Sequence, residues 1–245
     1  MPARRPPPPL TEGLRPAPPM SHDRPEVLDR RDGPYGEAVL RRRGEHFEII
    51  ANGCFLMDTS DGRSERLLVT AALDALAEPR GASLLIGGLG VGFSLAEASA
   101  DPRPGRITVL EREQAVIDWH TADGAPLAPF ADGGHNDPRT RIVHDDLLLH
   151  LRTTAERYDA LCLDIDNGPD WTVTESNDTL YTESGLDLVQ RVLARNGVLA
   201  FWSAAPSPAF EQRLRARFPV VETIPVDVQV ERDLPDVVYL ATSRP

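Results

Sequence analysis

From residue 83 onward, hydrophobic and polar positions fall into two alternating rhythms. Short apolar runs at 83–86, 107–110, 141–144, 160–163 and 198–202 predict strands. Segments with apolar residues every third or fourth position, at 93–100, 114–120, 147–152, 183–194 and 208–218, predict helices. Strand and helix in regular alternation imply a parallel sheet covered on both faces, because each parallel crossover lays a helix on one face or the other. The last two apolar runs, 220–224 and 237–241, are separated by a segment too short and polar for a crossover helix. They are expected to pair as an antiparallel hairpin, giving an α/β fold with a mainly parallel seven-stranded sheet and one antiparallel strand.

Before residue 83 the pattern differs. Runs at 38–40, 47–50 and 54–57 are β-like, and Asn52-Gly53 between the last two is a hairpin signal, since both residues tolerate positive φ. They predict a small N-terminal β-hairpin subdomain. Leu67, Leu68, Ala71, Ala72 and Leu76 then give 65–76 a helical spacing. Residues 1–25 are rich in proline and arginine, with Pro6 to Pro9 consecutive, and lack the apolar side chains that would offset ordering entropy. The expected organisation is a disordered tail at 1–25, a β subdomain at 26–64 and a large α/β domain at 65–245.

Composition narrows the function classes. With 41% hydrophobic residues in 245, the chain can bury one large α/β core. No apolar run approaches the roughly 20 residues of a membrane span, and no secretory signal opens the chain, so a cytoplasmic protein without a membrane partner is expected. A formal net charge of -12 disfavours nucleic acid and favours cationic substrates such as polyamines. All 26 basic residues are arginine. The absence of lysine excludes a Walker A lysine, a Schiff-base lysine and a Ser-Lys dyad. Cys54 and Cys162 stand in apolar stretches at no metal-like spacing and read as small buried hydrophobes, with neither a zinc site nor a disulfide framework.

The densest chemistry follows the first strand of the large domain. Gly87-Gly88-Leu89-Gly90-Val91-Gly92 ends an apolar run, and Glu111 ends the next. Glycines permit a sharp turn and close approach to a ligand, and an acid roughly 20 residues on suits ribose hydroxyls. Phe93 stands where a dinucleotide fingerprint needs its third glycine, so pyrophosphate binding is disfavoured. S-adenosylmethionine or a relative fits better; a tight strand-to-helix turn without ligand is the alternative.

Ligands of doubly wound sheets sit beyond the carboxyl ends of the strands. Read in order, those ends carry Gly88 to Gly92, Glu111, His144-Asp145-Asp146, Asp164-Ile165-Asp166-Asn167 and Ser203. Asp145 or Asp146 is expected at the adenine edge, although Asp146 is also a candidate helix cap. Asp164 is placed to orient an amine nucleophile and take its proton, the alternative being a cap for the following loop. That polar loop carries Trp171 and precedes Tyr181, and both aromatics are candidates to line an acceptor site or to anchor the loop on the core.

The ordered segments Gly87-Gly88-Leu89-Gly90-Val91-Gly92, Val109-Leu110-Glu111, Ile142-Val143-His144-Asp145-Asp146, Tyr158-Asp159-Ala160-Leu161-Cys162-Leu163-Asp164, Leu180-Tyr181-Thr182 and Gly197-Val198-Leu199-Ala200 resemble the spermidine synthase (polyamine aminopropyltransferase) family. The resemblance runs from about Tyr35 onward. It implies a small β subdomain before a Rossmann-like methyltransferase fold. It also implies decarboxylated S-adenosylmethionine as co-substrate, a small-molecule amine acceptor, no metal and a homodimer. Asp164 matches the family's catalytic aspartate, Glu111 its ribose acid and Asp146 its adenine-side aspartate. Glu65, Asp166, Asn167, Trp171 and Tyr181 are the candidates for the acceptor side.

Three departures matter. Gly90 stands where the family has an aspartate that binds the donor's amine. Asn167-Gly168 intervenes before Pro169, where the family has a second aspartate followed by proline. Arg63-Ser64-Glu65 replaces Tyr-His-Glu. Loss of the donor-facing acid lowers discrimination against intact S-adenosylmethionine, whose carboxylate that acid would repel. Aminopropyl transfer, methyl transfer from the intact donor, and a non-catalytic nucleoside or polyamine binder are therefore all open at this point.

Overall fold

Period-two alternation divides the strand side chains of the large sheet between two cores. Leu84 and Ile86, Ala160 and Cys162, Val198 and Ala200 face one side; Leu85, Leu161, Leu163, Leu199 and Phe201 face the other. The computed structural model describes residues 24–227 and 234–243. The proline-rich tail, as far as residue 23, lies outside the described residues.

The large sheet contains β5 (Ala82–Gly87), β6 (Pro104–Glu111), β7 (Thr140–His144), β8 (Tyr158–Leu163), β9 (Leu193–Ser203), β10 (Val220–Val226) and β11 (Asp236–Thr242), in the order β10-β11-β9-β8-β5-β6-β7. The pairs β5–β6, β5–β8, β6–β7 and β8–β9 are parallel, and β11 runs antiparallel to both β9 and β10. The expected hairpin is present, with its second strand inserted between β9 and β10. Helices α1 (Arg63–Asp74), α2 (Phe93–Ala100) and α3 (Gln114–Thr121) supply one core, and α4 (Leu147–Thr153), α5 (Glu183–Val192) and α6 (Pro208–Arg215) supply the other. No helix among the described residues is long and apolar enough to cross a membrane.

The N-terminal unit is a four-stranded antiparallel sheet, β1 (Glu26–Gly33), β2 (Gly36–Arg43), β3 (His46–Ala51) and β4 (Cys54–Asp58). The sequence pattern shows β2, β3 and β4 but not β1, whose Glu-Val-Leu-Asp-Arg-Arg-Asp-Gly run is almost wholly exposed. That strand is held by its ladder to β2 and by Trp119, whose indole N–H donates to Asp29 at 2.8 Å. Ala38, Leu40 and Ile49 of β2 and β3 join the core that α1 to α3 build, so the small sheet closes over the carboxyl rim of the large one. Cys162 is buried as expected, whereas Cys54 is exposed, because it opens β4 directly after the Asn52-Gly53 turn.

Candidate active site

A cavity of about 560 Å³ lies between the small sheet and the carboxyl ends of β5, β6, β7 and β8. That volume is in the usual range for small-molecule sites. Gly88, Gly90, Glu111, Asp145, Asp146 and Asp164 all line it, so acids and glycines ending four separate strands converge as the sequence pattern requires. Glu65, Asp166, Asn167 and Trp171 line it as well.

Glu111 ends β6 and is only 8% exposed. Its Oε2 accepts the Leu89 N–H at 3.0 Å and its Oε1 accepts the Glu113 N–H at 2.8 Å. Burial raises its pKa against these backbone donors and the nearby Arg112. Each carboxylate oxygen has a second lone pair, so the arrangement suits a vicinal diol such as ribose. Asp146 is the N-cap of α4, its Oδ1 accepting the Leu149 N–H at 2.8 Å, and Asp145 accepts the Asp146 N–H at 2.9 Å. The structural role weighed for Asp146 is therefore real, and it coexists with a place in the cavity wall.

Gly88 has φ +92°, and a Cβ there would collide with the backbone oxygen of Asp164. The glycine brings the end of β5 against the end of β8, which sets Asp164 in the floor of the site. Gly90 has φ +51°, and a Cβ there would strike the sulfur of Met57 from β4. A side chain at this position would have to push the flexible Met57 thioether aside and hold a positive φ. Two other glycines of the motif do not line the cavity. Gly87 sits beneath it against Leu163, and Gly92 turns into α2 against His120 and Ala131.

Asp164 is half-buried, and its pKa is raised well above the ordinary carboxylate range, first by burial and then by Glu65, Asp236 and Asp166. Glu65, on the first turn of α1, is 7% exposed and pushed up to about 7 by burial, with Asp236 and Asp61 adding and Ser64 opposing. Ser64 Oγ lies 3.0 Å from Glu65 Oε2 and 2.9 Å from Asp236 Oδ2. A hydroxyl has one proton to give, so Ser64 can donate to only one of the two acids at a time. Trp202 Nε1 also donates to Asp236, at 3.3 Å.

Of the acceptor-side candidates, Asp166 lines the cavity with its carboxylate engaged by its own loop, and Tyr181 lies outside the cavity. Asp166 Oδ1 accepts N–H bonds from Asn167 and Val173, and Oδ2 accepts from Thr174 N–H and from Asn177 Nδ2. The carboxylate is saturated, and it folds the 166–177 loop rather than offering itself to a ligand. Tyr181 does not line the cavity; it is 3% exposed and packs edge-on against Phe210 in the α4–α6 core. The loop-anchoring alternative holds there. Trp171, 61% exposed, stands at the rim.

Asp236 and Arg112 also line the cavity, and neither stood out in the sequence. Asp236 opens β11, and because β11 runs in reverse, its first residue reaches the rim where the parallel strands end. Reading only the carboxyl ends of strands misses it. Arg112 stacks on the Tyr35 ring at 4.8 Å and donates to Thr174 Oγ1 at 2.6 Å, which joins the small sheet to the loop after β8. Among the described lining residues Arg112 is the lone cation, against acids distributed from Glu37 to Asp236.

No family model matches the chain. It is 31% identical over 132 residues to polyamine aminopropyltransferase 1 of Streptomyces coelicolor, which covers 54% of this chain and 24% of the relative. It is 27% identical over 145 residues to the polyamine aminopropyltransferase of Saccharolobus solfataricus, covering 59% and 46%. It is 29% identical over 131 residues to polyamine aminopropyltransferase 1 of Pseudomonas aeruginosa, covering 53% and 42%. The chain thus spans between a quarter and a half of these relatives' length. Among solved structures, a spermidine synthase in complex with the transition state analogue AdoDATO superposes with a TM-score of 0.73 at 17% identity, covering 89% of this chain and 73% of that one. Spermidine synthase from Thermotoga maritima gives 0.72 at 17%, covering 89% and 72%. The chain is thus similar in sequence to polyamine aminopropyltransferases over about half its length, and it shares the fold of the spermidine synthase structures.

Proposed function

We propose that this chain transfers an aminopropyl group from decarboxylated S-adenosylmethionine to a small amine. The carrying observation is the lining of the cavity. Acids distributed from Glu37 to Asp236 give it a negative field, which deepens as Glu65 loses its proton near pH 7, and Gly88, Gly90 and Glu111 form a nucleoside-shaped wall. The similarity to polyamine aminopropyltransferases supports the same reading.

When bound, the donor's sulfonium supplies an electrophilic carbon; the amine nitrogen forms the new C–N bond as the C–S bond breaks, releasing 5′-methylthioadenosine. The residues of this chain do the rest. Glu111 holds the ribose and Asp146 faces the adenine amine. Asp164 orients the attacking nitrogen and accepts its proton, a role that a carboxyl of raised pKa performs well because its proton affinity lies nearer that of the amine. Holding both reactants in one closed site supplies the larger part of the acceleration.

Gly90 removes the acid with which the family grips the donor's amine, and Met57 fills that place. The acids across the cavity still oppose an α-carboxylate, with Arg112 engaged by Tyr35 and Thr174. The acidic field therefore favours the decarboxylated donor, while Arg112 Nη1, buried without a hydrogen-bond partner, is the group that would meet a carboxylate. Calorimetric titration with both donors tests this: tighter binding of the decarboxylated form is expected, and tighter binding of the intact form rejects the aminopropyl reading in favour of methyl transfer. Asp164→Asn is expected to abolish turnover while 5′-methylthioadenosine binds within a few-fold of the wild type. An active Asn variant removes Asp164 from the chemistry.

A further inference from the structure

We infer that His120 is a positioning residue for the nucleoside wall, acting through the Gly90 peptide on Glu111; the inference rests on the nucleoside reading above and extends it to a residue outside the cavity. His120 sits in the last turn of α3 with no exposed surface, and its Nε2 lies 2.9 Å from the Gly90 carbonyl oxygen. Its Nδ1 is buried without a hydrogen-bond partner. One nitrogen has an acceptor and the other has none, so the single ring proton belongs on Nε2 and the imidazole donates to Gly90. Burial pushes the ring pKa down to about 4, with His135 adding to the shift and the Gly90 bond opposing it, so the ring is neutral at physiological pH.

The Gly90 peptide is held from both sides. Its carbonyl is taken by His120 beneath the wall, and its N–H, together with that of Leu89, favours the ionised form of Glu111. The ring edge also packs where a Cβ on Gly92 would fall, so His120 touches both turns of the glycine segment. A phenylalanine or leucine would fill the same space without leaving a bare Nδ1 in the core, a burden on stability that an unpaired polar atom brings. What histidine adds over those residues is the one donor aimed at Gly90. That donor holds the carbonyl of a left-handed glycine, φ +51°, a residue with no side chain of its own to fix it.

The test uses 5′-methylthioadenosine as probe in calorimetry, with thermal melting as a fold control. His120→Phe leaves the Gly90 carbonyl without its donor and lowers the share of protein with the turn in its ligand-ready geometry, so binding is expected to weaken by up to about tenfold and the donor KM to rise with little change in kcat. His120→Gln, whose side-chain amide can donate to the same carbonyl, is expected to stay within about threefold of the wild type. A Phe variant that binds like the wild type overturns the inference, as does a Gln variant that falls as far as Phe. Should His120→Phe fail to fold, ring nitrogen–proton correlations on the wild type decide. A proton on Nε2 whose resonance moves on adding the probe supports the inference, and a proton on Nδ1, or a ring insensitive to the probe, rejects it. A wild-type protein that does not bind the probe rejects the nucleoside reading itself, and His120's role falls with it.

Discussion

At the scale of single residues, the site is governed by where protons sit. Glu65 binds its proton more tightly folded than unfolded, with a pKa of about 7 against an ordinary 4.5. The stability it contributes is therefore complete below about pH 4.5 and is lost as pH rises through about 7. Asp164 and Glu111 are shifted in the same direction, so the ligand-free protein is expected to melt at a lower temperature at pH 8 than at pH 5. Glu65→Gln removes one contributor and should flatten that slope; melting curves at the two pH values check it, and an unchanged slope contradicts the assignment. Asp164 and Glu111 were legible in the sequence because each closes an apolar run at the rim. The saturation of Asp166 was not, since its partners Val173, Thr174 and Asn177 reach it only after the loop has folded back.

At the scale of elements, the strand-to-helix turn after β5 is shaped by its neighbours as much as by a ligand. Glycine at 88 permits both the positive φ and the approach of β8. Gly88→Ala is accordingly expected to lower stability by roughly 1–3 kcal/mol, from backbone strain and the collision with Asp164. Gly124 also has a positive φ, +71°, but nothing lies within 4 Å of a Cβ there, so Gly124→Ala reports the strain alone and should cost less. Denaturant midpoints of the two variants compare them; equal losses would mean that close packing of β5 on β8 carries no energy. Most strands and helices could be read from the sequence, the central strands as continuous apolar runs buried on both faces and the helices by an apolar residue every third or fourth position. β1 could not, since both of its faces meet solvent. Tyr181 carries no mark in the sequence distinguishing an aromatic that lines a cavity from one that packs beside Phe210.

At the scale of the whole molecule, a formal charge of -12 surrounds a cavity whose acids repel one another until a cation enters. A diamine such as putrescine should bind the folded protein alone and raise its melting temperature. At 100 times its Kd the gain is about 2.7 kcal/mol, or roughly 5–11 °C for a chain of this size. The shift should shrink with added salt and be larger at pH 8 than at pH 5, where the acid array already carries its protons. A monoamine without the second charge should do less, and an equal shift from both would argue against the acidic field as the source of recognition.

The reversed course of β11 ties the finished pocket to the order in which the strands are made. Both neighbours of that strand, β9 and β10, precede it in the chain, so neither edge can be satisfied until synthesis has passed Asp236. A nascent chain halted before that point lacks the partner that Ser64 and Trp202 both reach for, and its pocket has one wall missing. Completion of the sheet and completion of the acidic wall thus depend on the same strand.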